Sequence, residues 1–366
     1  MKISENVPIA ELTTMRLGGV ARYVVEIERP EDIAAAYTFA RERNLPTWIM
    51  GEGANTIGRD EGFSGVIILN RLKGIFVEQD GRLINVENLD DGDFGEEITL
   101  MGMGGENWDD FVEFAARKGY TGIEAMSMIP GTVGAAPVQN IGAYGQDLAG
   151  VIESVEAYDT ELGEIVTLEP SEMRMGYRTT RFNTGEDAGR FLIISVKVKL
   201  KRGELKPPFY NSLQRYIDEH KVTDFSPLSI RKMVCEIRDQ KLPNPKKVAS
   251  AGSFFKNVRV EPEKVAEIKA QNIPVWENAD GSGKINTGWL IEACGLKGKR
   301  MHGFLVSDKA ALVLINEDAK HYADLEAARR EIIEAVKKKF GFTIEQEPVE
   351  LYHETNNIKN NYAENE

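Results

Sequence analysis

Apolar residues recur along this chain with two periods, and the switches between them divide it into elements. Residues 23–27 (Tyr-Val-Val-Glu-Ile) predict a strand. Pro30, Glu31 and Asp32 then mark a helix start, with proline in the first turn and acids at the positive end of the dipole. Ile33, Ala36, Tyr37 and Ala40 give a helical stripe that ends at Asn44, and 46–50 enters a second strand. Residues 65–70, 74–79, 83–88 and 98–103 predict short strands between Gly and Asp turns, with the acidic run 90–93 as a solvated hairpin tip. Asn107 caps a helix whose apolar face is Trp108, Phe111, Val112 and Ala115, and Gly119 closes it. Residues 154–159 and 164–168 predict a hairpin turning near Gly163, and 191–200 a further strand.

Ser226-Pro227 opens a helix to about Arg238, with an apolar stripe of Leu228, Ile230, Met233, Val234 and Ile237. An extended break follows at 239–245. Residues 287–294 predict a short apolar helix closed by Gly295, 304–315 a hairpin, and 323–340 a long amphipathic helix. Lys337, Lys338 and Lys339 complement the negative end of that helix. A last strand is expected at 342–348, where period two places Glu345 and Glu347 on one face. From residue 356 the Asn-rich end predicts a disordered tail.

Composition narrows the class. A 366-residue chain with 42% hydrophobic and 28% charged residues suits a globular protein with two or three cores. A net charge of −13 argues against general binding to nucleic acid or anionic membranes. An anionic substrate therefore needs local arginines and lysines. No apolar run approaches the ~20 residues that span a bilayer, and the first 15 residues lack the apolar core of a secretory signal. Cys235 and Cys294 are expected as buried free thiols in a reducing cytoplasm, ahead of a disulfide or a metal pair, and no metal site is expected.

Two glycine-rich stretches change the picture. Residues 129–145 read Ile-Pro-Gly-Thr-Val-Gly-Ala-Ala-Pro-Val-Gln-Asn-Ile-Gly-Ala-Tyr-Gly, with almost no charge. Glycine admits close backbone approach and positive φ, and proline stiffens the path, so this is either ordered backbone around a bulky ligand or an internal crossing loop. Upstream, Gly51-Glu52-Gly53-Ala54-Asn55 follows the apolar Trp48-Ile49-Met50, and a strand running into a glycine turn makes an anion-binding concavity. It is no dinucleotide fingerprint, because Thr56 takes the third glycine position and no helical pattern follows. Asp280-Gly-Ser-Gly-Lys284 fails as a P-loop on spacing and on Ile285.

Together the two stretches resemble the flavin-binding loops of the UDP-N-acetylenolpyruvoylglucosamine reductase (MurB) family. There GEGxN holds the FAD pyrophosphate and PGxxGxxPxQNxGAYG lies along the flavin. The resemblance covers essentially the whole chain. It implies an α+β protein, an FAD-binding PCMH-type fold of two α+β subdomains (1–71 and 72–238) followed by a C-terminal α+β substrate domain (239–355). It implies noncovalent FAD against Gly51, Glu52, Gly53, Ala54, Asn55, Pro130, Gly131, Gly134, Asn140, Gly142, Tyr144 and Arg238. NADPH is implied as co-substrate, and a UDP-sugar as the partner of a cytoplasmic monomer.

Three further motifs carry the family's chemistry. Taken alone, Arg178 after Gly176-Tyr177 is a surface arginine beside a turn, and Ser253 in Gly-Ser-Phe-Phe-Lys-Asn is a strand-start serine satisfying backbone. The resemblance instead makes Arg178 a substrate contact at the flavin face, Ser253 the catalytic serine and Glu347 the catalytic glutamate, with Glu345 the residue most easily confused with it. Tyr177, Tyr210 on the loop after Pro207-Pro208, Lys241 and Asn257 match substrate-binding positions. The implied reaction is reduction of an enolpyruvyl ether. Arg178 would bind its carboxylate bidentately, Glu347 would act protonated, and Ser253 would give the proton. An air-oxidised alcohol oxidase of the same fold and a non-catalytic UDP-sugar binder are the competing readings.

Overall fold

A computed structural model describes residues 1–88, 94–278 and 280–351. The acidic run 90–93 and the end of the chain from 356 lie outside the described residues. The first layer begins with β1 (Lys2–Pro8) antiparallel to β2 (Val20–Ile27). Then come α1 (Glu31–Glu42), β3 (Thr47–Met50), β4 (Thr56–Gly58) and β5 (Phe63–Asn70). Four of these strands form a sheet of order β1-β2-β5-β3, in which β5 is parallel to both β2 and β3. The stripe of α1, Ile33, Ala36 and Ala40, packs on Val25, Ile27, Val66 and Ile68. The opposite face buries Val24, Trp48, Met50, Ile67 and Leu69. A strand covered on both faces is apolar throughout, which explains the unbroken Val66-Ile-Ile-Leu69 of β5. Because β3 runs parallel to β5 and stops at Met50, Gly51–Asn55 leaves from carboxyl ends of strands, where parallel sheets hold ligands.

The second layer is antiparallel. It begins with β6 (Ile75–Gln79), β7 (Arg82–Asn85) and β8 (Glu97–Met103). α2 (Trp108–Arg117) follows, capped by the Asn107 carboxamide, which accepts from the N–H groups of Asp109 and Asp110 at 2.9 and 3.2 Å. Next come β9 (Tyr120–Thr121) and a small hairpin of β10 (Gly142–Ala143) and β11 (Gln146–Asp147). The layer continues through β12 (Ile152–Asp159), β13 (Glu164–Leu168), the single turn α3 (Pro170–Met173) and β14 (Phe191–Arg202). The sheet order is β13-β12-β14-β8-β6-β7, with β9 also on β14. Two helices follow, α4 (Asn211–His220) and α5 (Pro227–Lys241). Arg231 of α5 pins that helix to α2 through Asp109 (2.5 Å) and Glu113 (2.9 Å).

The C-terminal part contains β15 (Val258–Val260), α6 (Pro262–Ala270), β16 (Val275–Glu277), β17 (Gly283–Ile285) and α7 (Thr287–Ala293). After them come β18 (Arg300–Met301), β19 (Phe304–Val306), β20 (Leu314–Asn316), α8 (Tyr322–Phe340) and β21 (Val349–Leu351). The three-stranded sheets β15-β17-β16 and β18-β19-β20 pack with α8 on a core containing Phe254, Phe255, Phe304, Leu325 and Ile332. Met15, Leu17 and Ile57 of the N-terminal part belong to the same core.

Several expectations need correction. The strand at 342–348 does not form: that stretch has no regular structure beyond one isolated bridge from Gln346 to Phe255, and the strand is β21, parallel to β4. Its partner lies almost 300 positions away, beyond what local periodicity can register. Helices α4 and α6 were not foreseen, since each buries only two apolar residues (Leu213 and Ile217; Val265 and Ile268). Cys235 and Cys294 are free but half-buried. No helix among the described residues is long and apolar enough to cross a membrane.

Candidate active site

The two glycine loops face each other. Gly51 stands so close to the second loop that a Cβ there would lie 2.6 Å from Thr132 Oγ1. Gly53 has φ +63° and its absent Cβ would meet Leu12 O at 2.1 Å, so only glycine fits. The first loop is held from behind by its carbonyls: Arg71 Nη1 donates to Gly51 O (3.0 Å) and Thr14 N to Gly53 O (3.2 Å). Asn107 Nδ2 donates to Glu52 Oε1 at 3.3 Å. Among the described residues, the backbone N–H groups of Glu52, Gly53 and Ala54 donate to no protein acceptor. Turn amides freed in this way form a nest for an anionic group such as a pyrophosphate.

A cavity opens between this loop and the second one, lined by Gly51 to Asn55 on one side and Pro130, Gly131, Thr132 and Gln139 on the other. Gly131, at φ +120°, accepts from Trp108 N (3.1 Å), and Gly134 N donates to Gly104 O (2.9 Å) with no room for a Cβ. Asn140, buried at φ +45°, uses its carboxamide on backbone, donating to Gly176 O (3.1 Å) and accepting from Ala149 N (3.0 Å). It fixes the loop against the Tyr177 turn. Gly142 pairs with Asp147, and Tyr144 sits at φ +49° in the same hairpin. Arg238 on α5 is half-buried, donates Nη2 to Met128 O (3.1 Å) and keeps a buried Nε without a partner. Burial depresses its pKa, while Tyr144 and Asp109 act in the opposite direction. The free amides, the glycine-lined slot and an orphaned buried arginine nitrogen fit a flat cofactor with a diphosphate.

Arg178 and Glu347 do not line this cavity but adjoin it through Gln139, which does and which approaches Glu347. Arg178 adopts φ +58°, an uncommon conformation held by the Gly176–Thr179 turn. Its Nη1 donates to Asn140 O (3.1 Å) and its Nη2 to Gly142 O (3.0 Å). Nε lies 3.0 Å from Glu347 Oε1, an ion pair by distance, yet Nε has no partner in hydrogen-bonding geometry. Each terminal nitrogen spends one of its two N–H groups on the glycine loop, and the buried Nε has no partner in hydrogen-bonding geometry.

Glu347 is 13% exposed. Burial pushes its carboxyl above the ordinary range, with Arg178 and Lys256 pulling the other way. Gln139 Nε2 approaches it at 3.4 Å, and Asn55 Nδ2 donates to Gln139 Oε1 at 3.2 Å, so the second loop contacts this carboxyl and the first supports it through Gln139. Glu345 is half-exposed and pairs with Lys256 at 3.3 Å, which separates the two glutamates.

Ser253 follows Gly252 (φ +66°) and immediately precedes Phe254, whose carbonyl accepts from Glu347 N at 2.8 Å. The serine segment and the glutamate segment are thus bonded neighbours although 94 positions separate the two side chains in sequence. Tyr177 lies near Asn257, whose Oδ1 accepts from Thr287 N (3.2 Å). Tyr210 meets Tyr144 edge-on at 5.9 Å and stacks on Trp276 at 5.2 Å. Lys241 stands largely exposed at the end of α5, its pKa lowered by partial desolvation and by Arg215.

Three neighbours were missed from sequence. Lys284 of β17 places Nζ 3.9 Å over the Tyr177 ring, and burial with Arg178 lowers its pKa. Gln139 and Trp276 are the others. Gln139 was legible inside the second glycine motif; Trp276 and Lys284 lie on short strands with no local pattern.

Residues 244–351 match the family model of the UDP-N-acetylenolpyruvoylglucosamine reductase C-terminal domain, and residues 21–169 match an FAD binding domain. Among similar proteins is a UDP-N-acetylenolpyruvoylglucosamine reductase from Ralstonia nicotianae, 34% identical over 348 residues, 93% of this chain and 97% of that one. The reductase of the same name from Escherichia coli is 35% identical over 332 residues, 89% of this chain and 90% of its own. The crystal structure of the reductase from Thermus caldophilus shares the fold, with a TM-score of 0.63 at 22% identity, covering 96% of this chain and all of that one.

Proposed function

The chain belongs to the UDP-N-acetylenolpyruvoylglucosamine reductase family, and from that premise we propose how its cleft carries out the family's reaction. The protein is an FAD-dependent oxidoreductase that reduces UDP-N-acetylglucosamine enolpyruvate to UDP-N-acetylmuramate, a peptidoglycan precursor. FAD, when bound, would supply the hydride chemistry that passes reducing equivalents from NADPH to the enol ether. Gly51 to Asn55 would hold its diphosphate by backbone amides, and Pro130, Gly131, Gly134, Gly142, Tyr144 and Arg238 would hold its ring system.

Hydride addition leaves an electron pair on the carbon bearing the carboxylate, which becomes an enolate. Stabilising that charge falls to Glu347 and Arg178. A Glu347 carboxyl kept protonated by burial donates a hydrogen bond to the substrate carboxylate, and Arg178 adds a fixed positive charge that needs no reorganisation. Ser253 Oγ–H then delivers the proton to the enolate carbon, and solvent restores the hydroxyl proton. Tyr177, Asn257, Lys241 and Tyr210 bind the UDP-sugar. In a chain of net charge −13, the cations Arg178, Lys241, Lys256 and Lys284 supply the local field a dianionic diphosphate requires. We place the enzyme in the cytoplasm as a monomer.

The observation that carries this reading is one largely buried carboxyl with a raised pKa, contacted by Gln139 of the second glycine loop, on a residue whose backbone N–H is bonded to the serine segment. Anaerobic mixing with NADPH followed by the enolpyruvyl sugar tests it. Bleaching by NADPH and recolouring by the sugar support the assignment; recolouring by air alone would favour an oxidase.

A further inference from the structure

Glu350, three residues beyond Glu347, is 4% exposed and lies outside the cavity. Its carboxylate accepts from Arg59 Nε (2.8 Å) and Nη2 (2.5 Å) on Oε2, and from Arg329 Nη1 (2.5 Å), Tyr322 OH (2.7 Å) and Gln346 Nε2 (3.1 Å) on Oε1. Arg329 Nη1 also donates to Gln346 Oε1 (2.5 Å), and Gln346 Nε2 to Pro348 O (3.0 Å). Both sequence neighbours of Glu347 are therefore tied into this cluster.

The cluster joins three elements: Arg59 comes from just after β4, Arg329 and Tyr322 from α8, and Glu350 from β21. Backbone bonds run beside it. Val349 N donates to Asn55 O (2.9 Å) and Arg59 N to Leu351 O (3.1 Å). On the other side Glu347 N reaches Phe254 O and Lys256 N reaches Glu345 O (2.9 Å). Residues 345–351 thus form a strap from the Ser253 segment to the first glycine loop. Glu347 sits mid-strap, held by its own side chain only through a long contact to Gln139 and the misaligned Arg178.

We propose that the Glu350–Arg59–Arg329–Gln346 cluster is the positioning device of the active site, fixing the Glu347 carboxyl against Arg178 without touching the substrate. The inference rests on the functional reading above. A carboxyl that must meet a developing charge needs its supporting shell locked, since misplacement by about 1 Å can cost about 10²-fold in rate. The cluster supplies that stiffness through charged hydrogen bonds, which the unladdered stretch 342–348 otherwise lacks.

Glu350→Gln in the full flavin-loaded chain tests this by separating the half-reactions in anaerobic stopped flow. Flavin reduction by NADPH should stay within roughly twofold of wild type, while reoxidation by the enolpyruvyl sugar slows roughly tenfold or more. The alkaline fall of that second step should move to lower pH as Glu347 gains water. Parallel loss in both half-reactions, or an unmoved pH profile, overturns the proposal. If the variant loses flavin, Arg329→Lys and Arg329→Met decide instead: the lysine form should keep most of the second-step rate and the methionine form lose it, and equal rates would overturn the idea. Wild-type protein that the sugar fails to reoxidise would refute the functional reading rather than this inference.

Discussion

Glu347 and Glu350 are two nearly buried carboxyls three residues apart, and the protein treats them oppositely. Glu350 receives at least five hydrogen bonds and two guanidinium charges. Burial alone would raise its pKa, but Arg329, Tyr322 and Arg59 outweigh it and hold the group below the ordinary range. Glu347 has one misaligned guanidinium and one long amide contact, and burial wins, so its pKa goes up. A buried charge is costly unless its partners are complete. Complete partners make Glu350 a fastener; incomplete ones leave Glu347 with a raised pKa and ready to meet a new anion.

The sharpest way to break this contrast is at the proton donor. Ser253→Ala should slow reoxidation by substrate by about 10²–10⁴-fold, the range of a general acid, with flavin reduction by NADPH nearly intact. Equal loss in both steps would remove the serine from that role. Glu347→Gln should follow at about 10²–10³-fold in the same step, as for loss of one preorganised donor with the wrong charge response. Gly53→Ala tests the cofactor loop. With φ +63° and a carbonyl 2.1 Å from the new Cβ, it should cost about 1–3 kcal/mol and yield protein poor in flavin. A variant that stays fully yellow with an unchanged melting temperature would place the diphosphate elsewhere. Glu345→Gln, at a half-exposed carboxyl in a surface pair, should shift stability by no more than about 0.5 kcal/mol and leave both half-reactions alone. A large effect there would mean the two glutamates have been assigned in the wrong order.

The pH behaviour of the two carboxyls also differs in sign. The lowered pKa of Glu350 gives stability that is fully present above its unfolded value, about 4.3, and is lost as pH falls through the folded one. Glu347 does the reverse. Its folded state keeps the proton longer, so stability falls as pH rises from the unfolded value toward the raised one. Acid should therefore loosen the strap, whereas base should switch off the acid at its centre. Denaturant titrations of wild type and Glu350→Gln should converge at low pH and separate as pH rises through the carboxyl range.

Much of this was legible in the chain. The Asn107 cap, the stripe of α1 and the hairpin β12–β13 follow from local rules of capping and period. The glycine loops announced a ligand because φ > 0 and close approach exclude other residues there. What stayed hidden depends on distance in sequence. Nothing near Glu350 signals Arg59, which pairs with it across almost 300 positions, and β21 borrows its ladder from β4. Lys284 was weighed only as part of a phosphate loop, whereas its place over Tyr177 is set by the β15-β17-β16 sheet. Period two put Glu345 and Glu347 on one face, but without a ladder the stretch has no pleat to keep them there.

The most direct test of the proton-holding carboxyl is the pH dependence of substrate-driven reoxidation, measured anaerobically on pre-reduced enzyme in wild type and Glu347→Gln. The wild-type rate should fall as pH rises through a midpoint above the ordinary glutamate range, and the variant should be slow without that fall. Two profiles with the same midpoint would assign the titration to another group and contradict the account.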